Sequence, residues 1–180
     1  MQLPIYLDEQ IINLVESIRT PFFNDFFIFI SYLGAVDVIL FISFAMTIIF
    51  LTQTKKIFFF SLWIALSGSV LSAYILKLAV HRPRPLIGIV KETSFSFPSA
   101  HAVASLVLYG FIIHLISRSD KNRQFKLIMS ASLFIFILLI GFSRLYLGVH
   151  YLSDVMAGYL IGGLWLLIGI KFGKLKNSNK

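Results

Sequence analysis

Long apolar stretches alternate with short polar ones along the chain, and this pattern predicts helices that cross a membrane. A helix needs roughly 20 residues to span the hydrocarbon core of a bilayer. Five stretches are long and apolar enough, at residues 36–52, 57–80, 99–117, 125–146 and 152–172. The pattern therefore predicts an all-α, polytopic transmembrane helical bundle with five spanning helices.

The N-terminal region has a different pattern. Ile11, Leu14 and Ile18 recur at helical spacing among acidic residues, which indicates an amphipathic helix lying in the membrane interface. The stretch that follows, residues 21–33, is rich in aromatic side chains but short for a span. We predict an N-terminal interfacial hairpin, with six spanning helices as the alternative.

The composition agrees with a membrane protein. Hydrophobic residues make up 58% of the chain and charged residues only 13%, whereas soluble domains are about a quarter charged. The net charge of +8 comes from short basic clusters between apolar runs. This arrangement favours contact with anionic lipid and argues against nucleic acid as a partner. Because the chain contains no cysteine, disulfide bonds and thiolate-bound metals are excluded.

The loops on the two sides of the predicted bundle differ in charge. Residues 52–57, 117–125 and 174–180 lie on one side and are rich in Lys and Arg. The positive-inside rule places them in the cytoplasm, so the 80–99 loop and the turn at His150 are predicted to be extracytoplasmic. The chain then divides into an interfacial segment, a transmembrane domain and a basic cytoplasmic tail, at residues 1–35, 36–173 and 174–180.

Polar residues gather at the predicted extracytoplasmic ends of the spans. Three clusters that are far apart in sequence reach this face, at residues 77–84, 99–101 and 143–154. Ionisable groups at membrane depth are costly and need partners, but cations outnumber carboxylates here. A bound anion would restore the balance, and phosphate suits both the fork of Arg and the ammonium of Lys.

Two histidines and one carboxylate in these clusters suit phosphoryl transfer. His150 and Asp154 are four residues apart, so their side chains can meet near a helix start. The carboxylate would fix the imidazole tautomer and leave the other ring nitrogen free to attack phosphorus. His101, on another span, could protonate the leaving oxygen as a general acid.

The remaining polar residues suit phosphate binding. Ser99 follows a proline at a predicted helix N-terminus, where hydroxyl and backbone N–H groups favour an anion. Lys77, Arg84 and Arg144 would hold the non-bridging oxygens. The residues thus describe a two-step transfer through a phosphohistidine that requires neither a metal nor a cofactor.

The spacing of these residues resembles a known signature. In chain order the positions are Lys77 with six residues before Arg84-Pro85, then Pro98-Ser99-Ala100-His101, then Ser143-Arg144 with five residues before His150 and three more before Asp154. This order and spacing resemble the tripartite motif of the type 2 phosphatidic acid phosphatase superfamily. The resemblance covers residues 77–154.

The resemblance implies His150 as nucleophile, Asp154 as its partner and His101 as acid. It also implies a phosphate pocket at the outer membrane surface, formed by Lys77, Arg84, Ser99 and Arg144. One position departs from the family pattern, because the second motif usually has Gly where this chain has Ala100. We expect the added methyl group to reshape the pocket without abolishing activity.

His81 and Arg82 lie inside the first motif but off its signature positions. For each of them, additional contact with the substrate and packing of the loop are the two alternatives.

We therefore predict a bacterial inner-membrane hydrolase whose partners are the bilayer and a lipid phosphate. Substrates in the resembled family include lipid A phosphates, undecaprenyl pyrophosphate, phosphatidylglycerophosphate and phosphatidic acid. A small, outward-facing pocket favours lipid A 1-phosphate and undecaprenyl pyrophosphate. The alternatives are a lipid phosphotransferase, and a transporter or binding protein that holds anionic lipid without chemistry.

Overall fold

The computed structural model describes the backbone of residues 3–53 and 55–178, and the side chains of 6–53 and 55–174. The described backbone contains seven helices and no strand. They are α1 (Leu3–Ser17), α2 (Pro21–Tyr32), α3 (Val36–Thr52), α4 (Lys56–Val80), α5 (Ala100–Ser117), α6 (Arg123–Tyr146) and α7 (Leu152–Ser178). The all-α prediction is confirmed.

Four helices are individually long and apolar enough to cross a membrane, namely α4, α5, α6 and α7. The predicted span at 36–52 corresponds to α3, which meets these criteria only together with α2. The two helices are bent by 42° at a short break. Counted as one broken span they give the fifth crossing that the sequence predicts, and the described residues offer no sixth.

Local sequence explains where several helices begin and end. Thr20 caps α2, since its hydroxyl accepts a hydrogen bond from the Phe23 N–H at 3.3 Å and Pro21 takes the first helical position. Asn122 caps α6 through the Phe125 N–H at 2.8 Å. At the end of α4, His81 adopts a left-handed conformation with φ 50°, which turns the chain out of the helix.

Helix α5 lies at the centre of the bundle, where it packs against α3, α4, α6 and α7. Phe111, Leu108 and Val107 on α5 are fully buried against Leu62 on α4 and Ile140 on α6. In contrast, many large apolar side chains on the outer helices are exposed. This distribution is the one expected where lipid covers the outer face.

The two N-terminal helices pack onto the bundle at the C-terminal end of α6. The ring centroids of Phe27 and Tyr146 are 4.4 Å apart. Arg19 donates hydrogen bonds to the carbonyl oxygens of Tyr146 and Ile87. Gly148 has φ +69°, and a Cβ atom there would lie 2.8 Å from the Ile87 carbonyl oxygen and would also clash with the Arg19 guanidinium. Glycine is therefore required at this turn.

At the other terminus, α7 continues without a break to Ser178. The predicted basic tail, residues 174–180, thus begins inside a helix. The side chains of 175–180 and the backbone of 179–180 lie outside the described residues.

Candidate active site

Four helix termini meet at one end of the bundle: the C-terminal ends of α4 and α6 and the N-terminal ends of α5 and α7. We call this the site end. It encloses a cavity of about 190 Å³. The residues that line the cavity are Gly34, Val36, Lys77, Arg84, Glu92, Ser94, Ala100, His101 and His150. Four of the predicted site residues therefore face one space: Lys77, Arg84 and His101 come from the connection between α4 and α5, and His150 comes from the connection between α6 and α7.

His150 lies between α6 and α7 with its side chain almost fully buried. Its Nδ1 atom is 3.4 Å from Oδ2 of Asp154, close enough for attraction although the hydrogen-bond geometry is poor. The same Asp154 oxygen accepts a hydrogen bond from the Tyr151 N–H at 2.9 Å. Burial lowers the pKa of His150 to about 4, an effect that Asp154 offsets only in part.

The other ring nitrogen of His150 faces a cation. Its Nε2 atom lies 3.2 Å from Nη1 of Arg84. Because a guanidinium can only donate, Nε2 must act as the acceptor, and the proton of the neutral ring is then on Nδ1, toward Asp154. The lone pair on Nε2 consequently points toward Arg84 at the cavity wall and is engaged by that guanidinium.

Lys77 and Arg84 are anchored by the loop between α4 and α5. Lys77 Nζ donates to the Phe95 carbonyl oxygen. Arg84 donates from Nε to the Ser94 carbonyl at 2.7 Å and from Nη1 to the Val149 carbonyl at 2.8 Å. Carbonyl partners hold the two cations in place without neutralising them.

Arg144 is buried at the end of α6 and does not itself line the cavity. It donates from Nη1 to the Ser31 hydroxyl and from Nη2 to the Glu92 carboxylate. Glu92 also lies 3.6 Å from Arg84 Nη2. Lys77 and Arg84 line the cavity, and Arg144 is linked to it through Glu92. These three cations share one carboxylate, which leaves two positive charges in excess and suits a phosphate dianion.

His101 lies in the first turn of α5 and lines the same cavity as His150. Ser99 does not line the cavity: it is fully buried at the start of α5, where its N–H donates to the Asp154 carbonyl at 3.1 Å. That bond ties α5 to α7 beneath the site. The structure therefore brings His101 to the cavity and places Ser99 behind it.

Unsatisfied polar atoms concentrate at this site. Within the described part of the chain, four buried side-chain atoms lack a hydrogen-bond partner, and one of them, Ser61 Oγ, lies elsewhere. The other three are Ser99 Oγ, Arg144 Nε and His150 Nδ1. Since buried polar groups normally have partners, the site end is the part of the described chain where side-chain hydrogen bonding is least complete.

Neither His81 nor Arg82 lines the cavity. The His81 ring packs edge-on against Phe95 at 4.6 Å. Arg82 forms ion pairs with Asp154 at 2.6 Å and with Asp8 of α1 at 2.7 Å. The structure thus favours loop packing for His81 and an ion-pair role for Arg82 over contact with the substrate.

A second, apolar cavity of about 140 Å³ adjoins the first. It runs between α3, α4 and α5 and is lined by Val36, Val70, Ala73, Tyr74, Lys77, Ala100, Val103 and Ala104. Three of these residues, Val36, Lys77 and Ala100, line both cavities. We call this second cavity the apolar slot. It leads from the cationic site toward the lipid-facing surface of α4, where Val70 and Tyr74 are exposed.

Known proteins resemble this chain in sequence and in fold. The sequence is 29% identical to phosphatidylglycerophosphatase B of Bacillus subtilis over 166 residues, which cover 86% of this chain and 77% of that protein. The fold matches the crystal structure of a transmembrane PAP2-type phosphatidylglycerolphosphate phosphatase from Bacillus subtilis with a TM-score of 0.77 and 27% identity, covering 93% of this chain and 84% of that one.

A second solved structure, LpxE of Aquifex aeolicus, matches with a TM-score of 0.69 and 27% identity, covering 90% of this chain and 93% of that one. The model of the PAP2 superfamily matches residues 56–177, which contain α4 to α7 and every predicted site residue. The chain belongs to the PAP2 superfamily.

Proposed function

We propose that this protein removes a terminal phosphoryl group from a membrane lipid through a phosphohistidine at His150. The enzyme class follows from the family and from its phosphatase relatives: the chain is a membrane lipid phosphatase, a hydrolase. The covalent intermediate and the choice of substrate are our proposals.

The observation that carries the proposal is that the cationic cavity and the apolar slot adjoin and share part of their lining. Lys77 and Ala100 line both spaces, so one molecule can place a phosphate among the cations and an apolar chain between α3, α4 and α5. Phosphate esters without an apolar tail would leave the slot unused. A lipid phosphate fills both cavities.

The first step forms a bond between His150 and phosphorus. Nε2 carries the lone pair and attacks the phosphoryl group as the bond from phosphorus to the lipid oxygen breaks. His101, which becomes protonated when the phosphate dianion balances the cations around it, gives its proton to the departing lipid oxygen. Lys77, Arg84 and Arg144 stabilise the charge on the non-bridging oxygens, and Asp154 stabilises the proton on Nδ1.

The second step restores the histidine. Neutral His101 takes a proton from water as the water oxygen attacks phosphorus and the bond to Nε2 breaks. Inorganic phosphate leaves, His150 is neutral again, and His101 is protonated for the next cycle. The donors required for both steps are side chains of this chain.

For the substrate we propose a lipid phosphate monoester, with phosphatidylglycerophosphate first in the panel to be assayed. The relatives with long alignments include phosphatases named for that lipid. Lipid A 1-phosphate, phosphatidic acid and undecaprenyl pyrophosphate complete the panel, because the same cavity and slot could admit their terminal phosphates.

The test is phosphate release by the purified protein in detergent over this panel. We expect the wild-type protein to release phosphate from at least one lipid, and His150→Ala to lose at least about a thousandfold in rate. Release at the wild-type rate by His150→Ala would disprove the mechanism. Thermal unfolding of both proteins checks that the variant is folded.

We further propose that the site end faces the extracytoplasmic side of a bacterial inner membrane. The chain contains no cysteine, so a single Thr93→Cys variant in the loop beside the cavity can report its side. We expect an impermeant thiol reagent to label Thr93→Cys in intact cells, and to label Lys121→Cys at the opposite end only after lysis. The reverse pattern would place the site in the cytoplasm.

A further inference from the structure

A buried carboxylate on α1 connects the N-terminal helix to the site. Asp8 is only 2% exposed, although the neighbouring Leu7 and Glu9 are exposed. Helix α1 lies outside residues 56–177, the part of the chain that the family model matches. Since burying an unpaired carboxylate is costly, the partners of Asp8 show what this helix is fixed to.

All of the described hydrogen-bond partners of Asp8 belong to the site end. Oδ2 accepts from Arg82 Nη2 at 2.7 Å and from the Ser153 hydroxyl at 2.6 Å. Oδ1 accepts from the Ser153 N–H at 2.9 Å. The helix is also held by Val15, which is buried in a cluster with Leu145 and Val155.

Arg82 transmits this contact to Asp154. While Nη2 binds Asp8, Nη1 donates to Asp154 Oδ1 at 2.6 Å. The guanidinium also stacks on the Tyr151 ring, with its central carbon 3.9 Å from the ring centroid. Although burial opposes the charge, the hydrogen bond to Asp8 and the charge of Asp154 raise the pKa of Arg82. The flat fork of arginine is what allows one side chain to bridge two carboxylates.

The two oxygens of Asp154 therefore have separate partners. Oδ1 binds Arg82, and Oδ2 faces the Tyr151 N–H and Nδ1 of His150. The bond from Arg82 to Oδ1 restricts rotation of the Asp154 carboxyl group about its Cβ–Cγ bond, and it thereby fixes the position of Oδ2 next to the His150 ring. If the carboxyl group could rotate freely, it would orient the attacking histidine less well, and the rate of phosphoryl transfer would fall.

We propose that Asp8 is a positioning residue for His150, acting through Arg82 on Asp154. The proposal rests on the proposed function, since it assigns α1 a part in orienting the nucleophile of that reaction. It makes the N-terminal helix a component of the active site rather than a membrane anchor alone.

A purely structural role is the rival explanation, because Asp8 also binds Ser153 and could simply hold α1 against α7. A double-mutant cycle on kcat separates the two roles. Arg82→Lys keeps the positive charge but cannot bridge both carboxylates, and it leaves Asp8 its two bonds to Ser153. If Asp8 acts through Arg82, Arg82→Lys already breaks the connection from Asp8 to Asp154. Adding Asp8→Asn to Arg82→Lys should then cause no further loss in kcat.

The experiment measures kcat and KM for Asp8→Asn, Arg82→Lys and the double variant, with Glu9→Gln as the control for loss of an exposed carboxylate from α1. We expect each single variant to lose about tenfold in kcat with KM within about twofold. We expect the double variant to be no slower than either single one, and Glu9→Gln to match the wild type. Thermal unfolding of each variant is measured in parallel.

Wild-type kcat in Asp8→Asn would overturn the proposal, as would a double variant whose loss is the product of the two single losses. If Asp8→Asn does not fold, Arg82→Lys alone tests the proposal, because a wild-type kcat in Arg82→Lys would also overturn it. A wild-type protein without phosphatase activity would defeat the proposed function instead. In that case ¹⁵N-histidine NMR still tests the connection from Asp8 through Arg82 and Asp154 to His150. The proposal requires Asp8→Asn to shift the His150 ring signals and Glu9→Gln to leave them unchanged.

Discussion

The carboxylate of Glu92 binds the guanidinium of Arg144 at the wall of the cavity where we place the phosphate. Its second oxygen lies 3.6 Å from Arg84. A bound phosphate would use these same two guanidinium groups. Glu92 and the substrate phosphate therefore compete for the same donors, and the binding of phosphate must displace or share that carboxylate.

This competition predicts that Glu92→Gln binds phosphate more tightly. Removing the carboxylate raises the positive charge of the cavity and frees Arg144 and Arg84. We expect the inhibition constant of inorganic phosphate to fall by about tenfold, which corresponds to ~1.4 kcal/mol. Asp25→Asn, a change of the same kind at an exposed position on α2, is the control. Weaker inhibition in Glu92→Gln would instead show that Glu92 helps to build the pocket.

The pKa of His150 predicts an unusual tolerance of acid. Nucleophilic attack needs the neutral imidazole, and burial lowers the pKa of this group from 6.5 to about 4. Activity should therefore persist as the pH falls through the ordinary histidine range. We expect the acidic limb of the kcat/KM profile that belongs to His150 to lie at or below about pH 5. A limb near 6.5, assigned to His150 by its ring NMR signals, would contradict this environment.

The apolar slot predicts a tail-dependent effect of Val70→Trp. Val70 lines the slot at its lipid-facing side, whereas the adjacent and equally exposed Leu71 does not line it. A tryptophan at Val70 should obstruct the lipid tail. We expect KM for a long-chain lipid phosphate to rise about tenfold, with hydrolysis of a short, water-soluble phosphate ester unchanged.

Leu71→Trp is the matched control and should leave both substrates unaffected. Equal effects of Val70→Trp and Leu71→Trp on the KM for the long-chain substrate would show that the apolar slot does not bind the lipid tail.

Close packing of α5 and α7 predicts different costs for two glycines on the same helix. A Cβ atom at Gly158 would lie 2.8 Å from the Ser99 carbonyl oxygen and 2.9 Å from the Ala102 side chain. At Gly163 the one neighbour within contact distance, among the described residues, would be the flexible Leu106 side chain at 3.5 Å. We expect Gly158→Ala to destabilise the fold by about 1–3 kcal/mol in reversible unfolding in detergent micelles, and Gly163→Ala to be nearly neutral. Equal stabilities would contradict the packing.

Much of the bundle could be predicted because spanning helices are specified locally. The ends of 36–52 and 57–80 agree with α3 and α4 within one residue, since polar residues stop each apolar run at the membrane surface. The sequence did not predict that α2 and α3 together form one broken span. The 42° bend between them and the packing of α2 on α6, where Phe27 contacts Tyr146, are tertiary features that a hydropathy pattern does not contain.

For the site, the sequence predicts which residues gather but not what each one binds. Lys77, Arg84, His101 and His150 could be grouped because alternating helices bring their clusters to one face. The role of Asp8 could not be seen, since it is one of several acids in an amphipathic segment and its partner Arg82 is 74 residues away. Burial of that carboxylate is decided by tertiary packing alone.

The central claim is a covalent phosphoryl group on His150, and trapping that intermediate tests it most directly. The protein is mixed with a ³²P-labelled lipid phosphate, quenched during turnover in alkali, which preserves phosphohistidine, and digested to peptides. Our account predicts acid-labile label on the peptide that contains His150, and none in His150→Gln. Label that persists in His150→Gln, or turnover by the wild-type protein without any trapped label, would contradict it.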